Sequence, residues 1–297
     1  MSATVAPAAL TARLAAAQGK ARVLREALPW INRWAGRTLV VKYGGSAMLD
    51  RSAGTGTFAA DVALLHVVGV RVVVVHGAGP QISALARQRG LVPAFVGGRR
   101  VTDVAMLDVV RCALLDEVNP QLVAALLSAG APAAGVGREV GELLTVTPVP
   151  GLGLVGTVDR VAPGVVTALL DAGRVPVVAG IGRDAEGSEH NINADEVAAA
   201  IAVALGADKV VYLTDVAGLY TDFTTPNAAL LSRVGLSELR RLLTGGGLSD
   251  GMVPKVAGIV AALDGGVASA HLLDGRVDHA LLLEIFTDDG VGTMVTP

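Results

Sequence analysis

Six short stretches of this chain carry residues suited to binding and reacting with anions. The first is Thr38 to Gly45, TLVVKYGG. Thr38, Leu39, Val40 and Val41 read as a short strand rich in β-branched residues. Lys42 closes the strand, and Gly44 and Gly45 follow. A strand that ends in a lysine and then loses its side chains aims one cation off the end of a sheet, with bare backbone N–H groups beside it. That suits an anion, phosphate above all; a solvated lysine at a tight turn is the plainer alternative. The second stretch, His76-Gly77-Ala78-Gly79-Pro80, again joins a strand to a helix and places N–H groups at a helix N-terminus. Its glycines do not continue into a dinucleotide fingerprint, because Ile82 stands where the third glycine would be, and no GxxxxGK[ST] occurs. The third, Arg99-Arg100-Val101-Thr102-Asp103, is either a solvated face or a place where one guanidinium grips a carboxylate as a fork. In the fourth, Asn191, Asn193 and Asp195 alternate on the approach to a helix. Asp195 can serve as its N-cap, but three such residues exceed what one cap needs. In the fifth, Thr214-Asp215-Val216-Ala217-Gly218-Leu219-Tyr220 ends a strand with groups that could hold a ribose and a base, or only turn the chain. In the sixth, Gly251-Met252-Val253-Pro254-Lys255, a lysine sits in the first turn of a helix. The helix dipole disfavours a cation there unless cation and dipole serve one anion together.

The elements that must position these residues alternate along the chain. Arg71 to Val75, apolar after its first residue, and Val175 to Gly180 read as apolar runs, as expected of strands buried on both faces. Lys209 to Leu213 and Ala270 to Leu273 read as further strands, and a run around Ala280 to Phe286 reads as another. Helices are expected over about Phe58–Val68, Gln81–Gly90, Val104–Ala129 (interrupted at Pro120), Val166–Ala172, Glu196–Leu205, Leu236–Leu243 and Val256–Leu263. TVTPV and LVGTV between Gly130 and Gly164 read as a small antiparallel hairpin insert. An amphipathic helix precedes the first strand, from Thr11 to Leu28, with Gly19 in its middle, Pro29 at its end and Trp30, Ile31 and Trp34 in a second short piece. A Gly-rich tail runs from Thr287 to Pro297. The fold class is α/β: an open, mostly parallel αβα sandwich with the hairpin insert and the extra N-terminal helix. In such sheets ligands bind beyond the C-terminal strand ends, where Lys42, Gly44, Gly45 and the Gly77–Gly79 turn lie.

Composition narrows the function classes. The 297 residues are 52% hydrophobic but only 3% aromatic, so Ala, Val and Leu fill the core, and the net charge of −3 gives no support for a nucleic-acid surface. Cys112 is the one cysteine, which excludes an internal disulfide or a cysteine-built metal site and reads as inert core. No stretch approaches the ~18 uncharged apolar residues of a membrane span, and no secretory signal is apparent, so a soluble cytoplasmic protein is expected.

KYGG, HGAGP, RVTD, NINAD, TDVAGLY and GMVPK occur in this order across the whole chain. Together they resemble the amino acid kinase family, and within it the arginine-sensitive branch that acts on N-acetyl-L-glutamate. The resemblance implies transfer of a phosphoryl group from ATP, with Mg²⁺ held mainly by the nucleotide, to the acceptor's side-chain carboxylate in arginine biosynthesis. It implies that Lys42 and Lys255 stabilise the transferring group and that Asp195 orients both. Gly44, Gly45, Ala78, Gly79, Arg100, Asn191 and Asn193 would bind the acceptor and phosphates. Thr214, Asp215, Gly218, Tyr220, Gly251 and Met252 would border the nucleotide. His271, Glu284 and Gly290 would bind inhibitory arginine. It further implies residues 1–36 as an oligomerising helical extension, 37–185 as the acceptor-binding lobe and 186–297 as the lobe for ATP and arginine. The expected assembly is a homo-oligomer, a ring hexamer of dimers, and a nitrogen-signalling protein is a further partner the family admits. The chemistry agrees. A side-chain carboxylate of pKa about 4.3 is already an anion at neutral pH, so it needs no base, only relief from repulsion by the triphosphate. His76 is accordingly read as structural.

Two residues depart from the family pattern. Ala78 stands where the family has glycine and resists positive φ, and Arg99 stands where it usually has leucine. Both leave open a related acidic N-acyl amino acid or a carbamate as acceptor. A catalytically weak protein that senses arginine or nucleotide is the third reading.

Overall fold

The computed structural model describes residues 7–44, 54–137, 143–221, 229–245, 248, 251–287 and 290–297. Its first half runs α1 (Pro7–Trp34), β1 (Thr38–Tyr43), α2 (Gly54–Val67), β2 (Arg71–His76) and α3 (Gly79–Gln88). A ribbon of β3 (Phe95–Val96) and β4 (Arg99–Arg100) precedes α4 (Val104–Arg111). A π-helical segment, Cys112–Val118, separates α4 from α5 (Asn119–Ser128). Then come β5 (Ala133–Val136), β6 (Leu144–Pro148), β7 (Val155–Val161), α6 (Gly164–Asp171), β8 (Val175–Ala179) and β9 (Ile181–Arg183). The second half runs β10 (Glu189–Ile192), α7 (Ala194–Ala204), β11 (Lys209–Thr214), β12 (Tyr220–Thr221), β13 (Ala229–Leu230), β14 (Arg233–Gly235), α8 (Leu236–Thr244) and α9 (Val253–Asp264). It ends with β15 (Ser269–Asp274), α10 (Ala280–Phe286) and β16 (Thr293–Thr296).

Eight strands form one sheet in the order β14-β16-β15-β11-β1-β2-β8-β5. Its one antiparallel junction is β15–β16; every other pair is parallel, as the alternation of strands and helices requires. The chain leaves β1 for β2 on one side and returns to β11 on the other, so β1 lies at the switch point, where a crevice opens beyond the strand ends. Alternation along β1 divides the core. Leu39, Val41 and Tyr43 pack into one buried cluster with α2, α3, α4, α5 and α10. Val40 packs into the other, beneath α7 and α9, and Lys42 faces the same way.

The expected hairpin is present as β6–β7, antiparallel with one register shift, and it is part of a closed four-strand barrel, β10-β7-β6-β9. The segment around His190 to Ile192, read from sequence only as an approach to a helix, is thus a strand pairing with β7 and β9. Four further expectations are corrected. First, α1 is one continuous helix through Gly19 and Pro29. The proline removes only the bond to the Arg25 carbonyl, and both residues are exposed, so water can serve that group. Second, Ala280–Phe286 is helical, burying Ala280, Leu281, Glu284 and Ile285 along one face. So short an apolar run carries no decisive period. The helix is held at its start by Asp61 of α2, which receives the backbone N–H groups of Leu281 and Leu282 and pairs with His279 at 2.6 Å. Third, the tail is not all loop: Thr293–Thr296 pairs with β15. Fourth, Cys112 is only half-buried, at the start of the π-helical segment.

Candidate active site

Three helix N-termini and the ends of four strands converge on a cavity of about 270 Å³. Lys42, at the end of β1, reaches Asp195, in the first turn of α7, with Nζ 2.8 Å from Oδ1. Lys255, in the first turn of α9, places Nζ 3.5 Å from Oδ2 of the same carboxylate, and donates to the Gly251 carbonyl at 3.1 Å. Asp195 is not the N-cap. Asn193 takes that role, its Oδ1 accepting from the Asp195 N–H at 2.8 Å, which leaves both Asp195 oxygens for the lysines. Burial pushes the Asp195 carboxyl upward, but Lys42 and Lys255 outweigh it and hold the group below its ordinary range. The result is one buried anion between two cations, a surplus of one positive charge at the mouth of the sheet.

The facing side of the cavity is built from α3, β4 and β10. Ala78 is the N-cap of α3 and no side chain caps it, so the first N–H groups of the helix are open to an anion. Its φ is −150°, so a methyl group is no burden at this position and the departure from glycine strains nothing. Arg100 is buried; its Nη2 donates to the Gly79 carbonyl at 3.0 Å and Ser83 Oγ at 2.9 Å, and its guanidinium lies 4.6 Å from the Phe95 ring centroid. Nη1 is buried without a partner among the described residues, a donor waiting for an acceptor. Burial, with Arg87 nearby, lowers the Arg100 pKa from its ordinary value. Asn191 donates to Thr102 Oγ1 at 3.2 Å, and Thr102 donates to the Arg100 carbonyl at 2.8 Å, linking β10 to β4. Arg99 turns instead to Glu196, 3.0 Å away.

Lys42, Gly44, Ala78, Gly79, Arg100, Asn191, Asn193, Asp195, Thr214 and Lys255 thus line one cavity, while Gly45 lies outside the described residues. Asp215, Gly218, Tyr220, Gly251 and Met252 stand apart from that lining. Thr214 Oγ1 donates to Asp215 at 3.3 Å and accepts from the Val216 N–H at 3.2 Å, shaping the turn after β11. Gly218 packs against Thr293, Tyr220 opens β12, and Met252 packs on the core beneath α9. Ser83 and Thr102 were not singled out from sequence; only the fold brings them to Arg100.

His271, Glu284 and Gly290 meet in a second cavity of about 300 Å³ that Trp30, Arg33 and Trp34 of α1 also line. Glu284 Oε1 lies 2.5 Å from Lys209 Nζ and 2.7 Å from His271 Nδ1. Oε2 is buried without a partner among the described residues. Gly290 has φ +58°, and a Cβ there would stand 2.7 Å from that oxygen. Burial raises the Glu284 carboxyl, but His271 and Lys209 prevail and hold it below its ordinary value. Lys209, 5.7 Å above the Trp34 ring, was missed from sequence, where it reads as the first residue of a strand.

The Amino acid kinase family profile matches residues 37–274. An acetylglutamate kinase of Acidothermus cellulolyticus is 50% identical over 297 residues, covering 96% of this chain and 99% of that one. The acetylglutamate kinase of Frankia alni is 49% identical, over 97% of this chain and 85% of its own. Among solved structures, N-acetylglutamate synthase from Neisseria gonorrhoeae, complexed with coenzyme A and N-acetyl-glutamate, matches with a TM-score of 0.82 at 29% identity, over 93% of this chain and 63% of that one. Carbamate kinase from Giardia lamblia bound to AMP-PNP matches with a TM-score of 0.67 at 20% identity, over 88% and 99%, a likeness of fold.

His76 also borders the first cavity, yet it is fully buried and engaged by the protein itself. Asn119 Nδ2 lies 3.0 Å from its Nε2 and also donates to the Val177 carbonyl, and Nδ1 faces the Gly77 carbonyl at 3.4 Å. Burial lowers its pKa to about 4. An unfolded histidine titrates near 6.5, so the unfolded chain binds the extra proton between these values and stability falls as pH drops through that window. From pH 7 to pH 5 the native protein is expected to lose about 2 kcal/mol more than His76→Gln, measured by denaturant unfolding of both. Equal losses would show that His76 is not buried neutral.

Proposed function

The chain belongs to the amino acid kinase family, and from that we infer that it transfers the γ-phosphoryl group of ATP to the side-chain carboxylate of N-acetyl-L-glutamate in arginine biosynthesis. The observation that carries this reading is near-full-length identity of about half to acetylglutamate kinases, joined to the Lys42–Asp195–Lys255 arrangement. The acceptor carboxylate attacks phosphorus as the anion it already is. Lys42 and Lys255 offset the charge that brings the two anions into repulsion and that spreads over the transferring group. Asp195 keeps both ammonium groups in place. Arg100 Nη1 and Asn191 have the chemistry to hold the acceptor's α-carboxylate, and the open N–H groups of α3 to receive acceptor or phosphate oxygens. The turn after β11, with Met252, borders the adenine nucleotide. Mg²⁺ enters as the ion of MgATP: Asp195 is the one carboxylate among the described residues lining the cavity, and both its oxygens serve lysines. The lobe boundary lies near residue 185, and the cytoplasm is the compartment that supplies ATP to such a step; no helix among the described residues is long and apolar enough to cross a membrane.

Inhibition by arginine is the regulatory part of the reading. Glu284 Oε2 offers an unpartnered carboxylate oxygen to a guanidinium, and Trp30 and Trp34 bring α1 to the same cavity. Leu10, Leu14, Ala17, Ala21, Leu24 and Leu28 form an exposed seam on α1 with alternating spacings of four and three, the pattern of helices that pair. Pairing of α1 between copies would join dimers into a ring hexamer and carry the effector cavity with it.

An ADP-release assay with N-acetylglutamate is expected to show turnover, and Lys42→Ala to lower kcat by roughly 10²–10³-fold with little change in acceptor KM. No turnover by the folded native chain would refute the activity; an unchanged kcat would remove Lys42 from it. Deleting residues 1–30 is expected to reduce both the mass measured by light scattering and the inhibition by arginine. A truncated protein of unchanged oligomer size would contradict the role given to α1.

A further inference from the structure

We propose that Tyr212 and Gly258 are a matched pair that sets how closely Lys255 approaches Asp195, a positioning role in the phosphotransfer reading on which it rests. Tyr212 is fully buried and pairs with Lys42 across β1 and β11, on the sheet face covered by α7 and α9. Its hydroxyl donates to the backbone carbonyl of Asp195 at 3.3 Å. The largest side chain on this face of β11 thus stands directly under the first turn of α7.

Gly258 lies one helical turn beyond Lys255 in α9, on the same side of that helix. A Cβ at this position would stand 2.9 Å from Tyr212 Oη and 3.0 Å from the Asp195 carbonyl oxygen. Neither neighbour can yield cheaply, since one is a buried ring hydroxyl and the other is helix backbone. Glycine is otherwise a poor choice inside a helix. Gly258 has no positive φ to require it, so what the site asks of residue 258 is space. That space lets α9 rest on the start of α7, and the same contact brings Lys255 to Asp195.

The consequence is specific to one of the two lysines. Lys42 is fixed by β1 and does not depend on α9. Lys255 holds the longer of the two ion pairs, 3.5 Å against 2.8 Å, so a displacement of α9 parts that pair first. Arg100 and Asn191, the groups assigned to the acceptor, lie on β4 and β10, away from α9. Crowding at residue 258 therefore removes a transition-state cation while leaving the acceptor site alone, and removing the Tyr212 hydroxyl relieves half of the crowding.

The test combines Gly258→Ala, Tyr212→Phe and the double substitution in the full-length chain. Gly258→Ala is expected to lower kcat by at least about tenfold with acceptor KM within about twofold. The double variant should recover much of that loss, a non-additive pairing that general destabilisation does not produce. Wild-type kcat in Gly258→Ala, or a loss that Tyr212→Phe does not relieve, would overturn the proposal. A crystal structure of Gly258→Ala separates the two readings. Lys255 Nζ withdrawn from Asp195 is expected whatever the acceptor, and an unmoved Lys255 refutes the pairing even if the native enzyme is inactive on N-acetylglutamate.

Discussion

The structure turns on one carboxylate shared by two ammonium groups. Asp195 is buried, and burial alone would favour its neutral form; only the lysines on either side keep it charged. In return it holds in place two largely buried cations that would otherwise repel each other. On the proposed function, the leftover positive charge is what an incoming triphosphate and carboxylate would find. Each partner reaches this point by a different elementary rule. Strand alternation turns Lys42 toward α7 and α9, Asn193 takes over the capping that Asp195 could have done, and the close rest of α9 on α7 brings Lys255 across.

The second cavity repeats the device with other residues. Glu284 is a buried carboxylate with Lys209 and His271 at one oxygen and, among the described residues, no partner at the other. Lys209 begins β11 and Thr214 ends it, so this strand has one cavity at each end. α1 likewise lines the distal cavity and then leads into β1, which carries Lys42 near its far end. Both cavities therefore border β11, and α1 leads from the distal one into β1, giving a short physical connection between them.

Much of the sheet was legible because its strands carry apolar, β-branched runs, several of them leading into glycine turns, and chain order then dictates parallel pairing. Lys42, Asp195 and Lys255 were legible because each begins or ends such an element. What escaped depended on contacts distant in sequence. The β10 strand exists only by pairing with β7 and β9, and polar residues on it look like loop. Ala280–Phe286 has no period to separate helix from strand; Asp61, more than two hundred residues away, supplies the helix start. Lys209, His271 and Glu284 are united by sheet register, in which Val211 lies opposite His271 and so sets Lys209 and His271 on one face. The strain suspected at Ala78 was a question of one dihedral angle that no sequence prints, and its φ of −150° lies outside the range that calls for glycine.

The charge of Asp195, not its shape, organises the site, and Asp195→Asn isolates that charge. Steady-state kinetics with N-acetylglutamate and MgATP, paired with calorimetric binding of each, is the direct measurement. The expected result is a kcat reduced by roughly 10²-fold or more in a folded variant that still binds both substrates. A variant that turns over at the native rate would contradict it.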